Sequence, residues 1–166
     1  IEVLHSRYLD ELYGKKIQEM RESNSFKAFQ EEFGYTYQDL GGLSGILKNG
    51  IDIVFRITFF PDDNEISIRA VGNLGAYDGP CDDSLTAFGK ELKPKLAQFI
   101  KTRELQKWRF RTLVQNDVII SLLKSKNTEF ILQSETESRL NGVLQRNNAL
   151  VASLYYDKFE NTYFIE

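Results

Sequence analysis

The chain has 166 residues, 42% hydrophobic and 27% charged, with a net charge of -3, the composition of an ordinary globular protein able to bury a core. A single cysteine, Cys81, excludes an intrachain disulfide, and a single histidine, His5, excludes His-rich metal sites and any Ser–His or Cys–His pair that does not use His5. The lone cysteine leads to the expectation of an intracellular, reducing compartment, cytoplasm or nucleus alike, and no apolar run approaches a bilayer span.

Taken in chain order, Leu4, Tyr8, Leu9, Leu12, Tyr13, Ile17 and Met20 recur at helical spacing, which predicts an amphipathic helix over 4–22. Ser23, Asn24 and Ser25 interrupt it. Phe26, Phe29 and Phe33 then repeat at i, i+3, i+7, a second short helix that Gly34 closes. Three strands follow, at 43–48, 51–60 and 65–72. Asn49-Gly50 marks a hairpin turn, because such turns need positive φ. Ile51, Ile53, Phe55, Ile57 and Phe59 alternate with Asp52, Val54, Arg56, Thr58 and Phe60, the period of a half-buried strand. Residues 72–80 read as a glycine-rich loop.

Asp82, Asp83 and Ser84 are N-cap candidates for a helix carrying Leu85, Phe88 and Leu92. Pro94 predicts a kink or a restart there. The pattern resumes through Leu96, Phe99, Ile100, Phe110, Leu113 and Val114, and Asn116-Asp117 breaks it before Val118, Ile119, Leu122 and Leu123. The tail is β-rich: Phe130–Gln133, Leu140–Gln145, Ala149–Tyr156 and Thr162–Ile165 read as strands. Asn147-Asn148 and 157–161 read as turns, and Gly142 marks a bulge. The expected fold is α+β, with two antiparallel β-meanders, about 43–72 and 129–165, either separate or in one continuous sheet. Helices 4–33 and 84–124 pack them. The organisation reads as one domain over 1–166, with two stacked halves, 1–80 and 81–166, as the alternative.

Charge is segregated along the chain. Lys90 to Arg111 holds eight of the 21 Lys and Arg residues against only Glu91 and Glu104, whereas 51–84 carries seven acids and two bases. The stretch holds Lys101, Arg103, Lys107, Trp108, Arg109 and Arg111; Arg103, Lys107 and Arg111 fall on one helical line at four-residue spacing, and Lys101 and Arg109 lie on other faces. Cations interleaved with an aromatic suit an acidic protein surface, and equally a phosphate backbone with a stacked base. The plain alternative is a solvated helix face paired with the acidic loops 62–65 and 78–83. The acidic pI, about 5.4, argues against a dedicated nucleic-acid binder.

The remaining motifs are weaker. Asp62, Asp63, Glu65, Asp78, Asp82 and Asp83 lack the ligand spacing of a calcium loop. Pro61-Asp62 with Glu91-Leu92-Lys93 spells a loose nuclease pattern, but Glu91 and Lys93 read as helical and two positions apart do not face together. Cys81 beside Asp82 and Asp83 reads as an inert thiol. Neither Gly72-x-x-Gly75 nor Gly41-Gly42 is a phosphate loop. The sequence therefore points to a non-catalytic binding or assembly subunit, without cofactor or metal. It would act through a charged helix face (Lys101, Arg103, Lys107, Trp108, Arg111) and the amphipathic N-terminal helix. The expected partner is a protein offering an acidic surface or a helix groove, and a homo-oligomer is compatible. No membrane association is expected. Nucleic-acid binding by 90–111 is the alternative, and a metal-dependent hydrolase using Asp62, Asp63 or Glu91 a remoter one.

Overall fold

The structure, a computed structural model, describes residues 2–112 and 117–166, with the backbone alone at 2–10, 118–120 and 122. The expectations for Leu113, Val114 and Asn116, and for the side chains of Leu4, His5, Tyr8, Leu9, Val118, Ile119 and Leu122, lie outside the described residues.

The fold is α+β with two separate antiparallel sheets. Helices α1 (Glu2–Glu22) and α2 (Asn24–Phe33) precede a five-stranded sheet in the order β1 (Thr36–Asp39), β2 (Ser44–Asn49), β3 (Asp52–Phe60), β4 (Glu65–Ala70), β5 (Ala76–Pro80). Helices α3 (Ser84–Arg111) and α4 (Asp117–Ser125) then precede a four-stranded sheet, β6 (Thr128–Glu135), β7 (Arg139–Arg146), β8 (Ala149–Asp157), β9 (Thr162–Ile165). The chain divides into two compact units, one of residues 1–50 and 54–96, the other of 51–53 and 97–166.

In the first unit the period-two pattern expected over 51–60 holds from Phe55 onward, whereas Ile51 is exposed and Asp52 and Val54 are buried. Phe55, Ile57 and Phe59 are buried, and they stand opposite Ala70, Ile68 and Ile66 of β4. Helix α2 covers this surface. Ser23 caps it by accepting the Phe26 N–H, Gly34 closes it at φ 70°, and Phe29 lies against Phe33, Phe55 and Phe88. Such aromatic contacts carry large burial area with edge-to-face preference.

Two sequence expectations are corrected here, the loop at 76–80 and a restart at Pro94, and strand β1 is one that the sequence did not indicate. Residues 76–80 form strand β5, not loop. Gly79 and Pro80 are tolerated because β5 is an edge strand, and Tyr77, opposite Ile68, packs on Phe88. Strand β1 is too short to show a period. Tyr37 anchors it between Phe26 and Phe59, and a side chain at Gly45 would overlap the Tyr37 ring. Helix α3 runs unbroken through Pro94, since the buried Leu92 and Leu96 flank the missing hydrogen bond and hold the helix by packing. The hairpin turn expected at Asn49-Gly50 falls one residue later, at Gly50-Ile51: Asn49 ends β2, and Gly50 takes positive φ.

In the second unit Phe110, Phe130, Leu140 and Tyr156 form the apolar core, with Leu123, Leu144 and Leu154 against it. Asn147 and Asn148 both adopt the left-handed conformation that a tight hairpin needs. The register slips between Leu132 and Ser134, beside Gly142, where a Cβ would approach the Phe130 ring to 2.6 Å. A second slip falls between Leu144 and Gln145 of β7.

Candidate interaction surfaces

The basic segment of α3 has two faces with opposite fates. Its inward stripe runs Leu85, Leu92, Leu96, Arg103, Lys107, Phe110, all buried and spaced by three, four or seven residues. Arg103 and Lys107 therefore occupy core positions of the helix. The expectation that they line an exposed surface is corrected: Arg103 is 0% exposed and Lys107 6%.

Their counter-charge is Asp52, itself buried at the start of β3. Lys107 Nζ donates to Asp52 Oδ2 at 2.8 Å and Lys158 Nζ to Oδ1 at 2.7 Å, while Arg103 Nη2 stands 3.5 Å from Oδ2. Arg103 Nη1 donates to the Ile53 carbonyl at 3.3 Å, but Nε and Nη2 make no hydrogen bond among the described residues. Three buried cations thus share one buried carboxylate. Glu104 takes a second Lys107 bond at 2.9 Å from the exposed side. Glu135 accepts from Lys158 at 3.1 Å and from Arg111 at 2.5 Å, so Arg111 too is already paired.

Burial alone would raise the pKa of Asp52, but the hydrogen bonds from Lys107 and Lys158 and the charge of Arg103 hold it below the usual carboxylate range. Glu135 is lowered in the same way: burial opposes, and Arg111 and Lys158 prevail. For Lys107 burial works against the ammonium, while Asp52 and Glu104 raise its pKa. Burial pushes the Tyr156 hydroxyl strongly upward, and it donates to Asn161. The expected partners in loops 62–65 and 78–83 are not those seen, since Asp52, Glu104 and Glu135 neutralise these cations. Sequence reasoning placed Asp52 on the polar side of its strand and did not single out Lys158 or Glu135. The stripe from Leu96 to Phe110 was the one signal that would have turned Arg103 and Lys107 inward.

The outward face of the same helix segment keeps Lys101, Leu105, Trp108 and Arg109 exposed. Positions 101, 105, 108 and 109 share one side of a helix. Trp108 is 57% and Leu105 45% exposed. Lys101 and Arg109 have no ion-pair partner among the described residues. Of the five residues that the sequence singled out, Lys101 and Trp108 belong to this strip, while Arg103, Lys107 and Arg111 belong to the internal network.

A second surface lies in the first unit. Leu43, after the β1–β2 turn, and Phe60 and Pro61, leading into the β3–β4 turn, stand with Tyr13 and Ile17 of α1 around a groove of ≈ 770 Å³. Leu43 and Phe60 are exposed, and Ile17 is buried in its floor. Asp39, Asp62 and Asp63 rim it. Lys16 approaches Asp62 at 3.6 Å and Tyr13 donates to it at 3.3 Å, while the Asp39 carboxylate accepts the Gly41 N–H at 2.8 Å.

The other sequence candidates have local partners. Asp78 accepts from Ser67 and Arg69, bonds that hold it below its ordinary value, and Asp82 accepts the Ser84 N–H as a helix-start residue. Among the described residues no three His, Cys, Asp or Glu side chains converge to hold a metal ion. Lys93 pairs with Glu32 at 3.4 Å. Cys81 is buried, and burial raises its thiol pKa. Among the described residues no helix is long and apolar enough to cross a membrane. Compared with protein-family models, curated proteins and solved structures, the chain matches none.

Proposed function

We propose that this protein is a non-catalytic binding and assembly subunit whose contact surface is the outer strip of α3, and that it takes a protein partner with an acidic, partly apolar surface. The observation that carries the reading is the exposure of Trp108 and Leu105 between Lys101 and Arg109. An indole that packing leaves in water is the residue type most enriched among binding hot spots, and flanking cations add steering and register. The withdrawal of Arg103, Lys107 and Arg111 into internal ion pairs leaves the strip with few cations. That favours an acidic protein surface over a nucleic-acid backbone, whose binding draws on many phosphate contacts.

The test is an anisotropy titration with a labelled amphipathic peptide of Glu and Leu, set against its Lys/Leu counterpart. The acidic peptide should bind and the basic one should not. Trp108→Ala, and separately Lys101→Glu with Arg109→Glu, should weaken binding at least tenfold while thermal melts stay unchanged. Equal binding by both variants and the wild type would remove the strip from consideration.

A further inference from the structure

The acid-rimmed groove of the first unit is the complement of the strip on the second, in both polarity and charge. The groove offers an apolar floor of Ile17, Leu43 and Phe60 under the carboxylates of Asp39, Asp62 and Asp63. The strip offers Trp108 and Leu105 beside Lys101 and Arg109. We infer that the occupant of the groove is the α3 strip of a second copy of this chain.

Three considerations carry this. Each surface presents two large hydrophobic side chains to solvent: Phe60 and Leu43 on one, Trp108 and Leu105 on the other. Their charges are opposite. The groove rim keeps more carboxylate than Lys16 neutralises, and the strip's two cations lack ion pairs among the described residues. The groove also has room for an indole and a leucine side chain together, the anchor-in-pocket form that concentrates binding energy. The two patches differ, so the contact is heterologous. Each copy donates a strip to one neighbour and a groove to another, and assembly proceeds head to tail into a ring or an open chain. This rests on the strip being a binding surface, as proposed above, and goes beyond it by naming the partner.

The experiment is sedimentation with light scattering on the full chain across a concentration series. Mass should rise with concentration, and 1 M salt should weaken the association several-fold, because exposed ion pairs are screened. Leu105→Ser with Trp108→Ser removes the strip, and Leu43→Ser with Phe60→Ser removes the groove. Each variant alone should be monomeric. Mixed in equal amounts, they should form a species of two chains and none larger, since one intact strip meets one intact groove. Lys101→Glu with Arg109→Glu changes only exposed positions, and should raise the dissociation constant at least tenfold without altering the melt. A wild type that stays monomeric at every concentration overturns the inference, as do variants that associate like wild type and a mixture that fails to pair. If the wild type is monomeric yet the acidic peptide still binds the strip, the partner is a different protein and the preceding reading stands. If the peptide fails as well, both fall.

Discussion

Both units pack an apolar core, but among the described residues only the second adds a buried ionic network to it. The first packs aromatic rings: Phe29 alone lies within 5.4 Å of Phe33 and 5.3 Å of Phe55, ring centre to ring centre. Beside its apolar core of Phe110, Phe130, Leu140 and Tyr156, the second buries a carboxylate and gathers three cations on it. An apolar core spreads its stabilisation over many contacts, each individually small. An ionic core concentrates it, because every buried cation depends on the same partner. Both should lose stability when a central residue is removed, but only in the second should replacing the partners of that residue restore it.

The largest expected effect tests that concentration. Asp52→Ala leaves Arg103, Lys107 and Lys158 buried without their anion, and should cost about 3–5 kcal/mol in urea denaturation. A loss below about 1 kcal/mol would mean that the cations find solvent at little cost. Phe29→Ala in the first unit should cost a similar ~3–5 kcal/mol through the cavity it opens. The two differ in rescue. Adding Arg103→Met, Lys107→Met and Lys158→Met to an Asp52→Leu chain should recover much of the loss, since well-packed hydrophobic side chains replace buried ion networks at little net cost. No second substitution should restore Phe29→Ala so fully.

The next effect is smaller and depends on pH. Asp52 has a lowered pKa in the folded state, so its contribution is complete above its unfolded value, about 3.9, and disappears as pH falls through the folded value. The stability gap between the wild type and Asp52→Asn should therefore be constant near neutrality and close as the solution is acidified below about pH 4. A gap that persists undiminished to about pH 2 would remove Asp52 from the centre of the network. Gly142→Ala should cost about 1–3 kcal/mol, because the new methyl meets the Phe130 ring at 2.6 Å. Smallest is Arg111→Ala. Its pair with Glu135 is partly exposed, and about 0.2–1 kcal/mol is expected, reduced further by salt. A loss as large as that of Asp52→Ala would extend the ionic core to the surface.

What the sequence made legible follows the same division. Period-two alternation in 51–60 and the Phe26–Phe29–Phe33 repeat reported the first unit's core because apolar side chains announce burial by type. The Gly34 stop was readable locally, whereas Ser23 read only as an interruption and its capping role appears in the structure. Strands β1 and β5 escaped, one because four residues hold no period and the other because glycine and proline mask an edge strand. The ionic core was misread because charged side chains announce exposure by type. Only their place on the helical stripe contradicts it. Lys158 carries no local signal at all, since its burial follows from a carboxylate 106 positions away. The strip was half visible: Lys101 and Trp108 were picked out, but Leu105 and Arg109 gain meaning only once the inward face of α3 is known.

The short stretch 51–53 has a consequence for how the molecule is made and how it can be cut. The second unit is discontinuous, borrowing these three residues from across an intervening 43-residue excursion, 54–96. A fragment beginning at 97 would carry every buried cation and lack their anion. It should be insoluble or unfolded on its own, and adding back a peptide spanning residue 52 should rescue it. During synthesis, likewise, the unit cannot close until Lys158 leaves the ribosome. Asp52 meets Arg103 and Lys107 first and gains its third cation about fifty residues later.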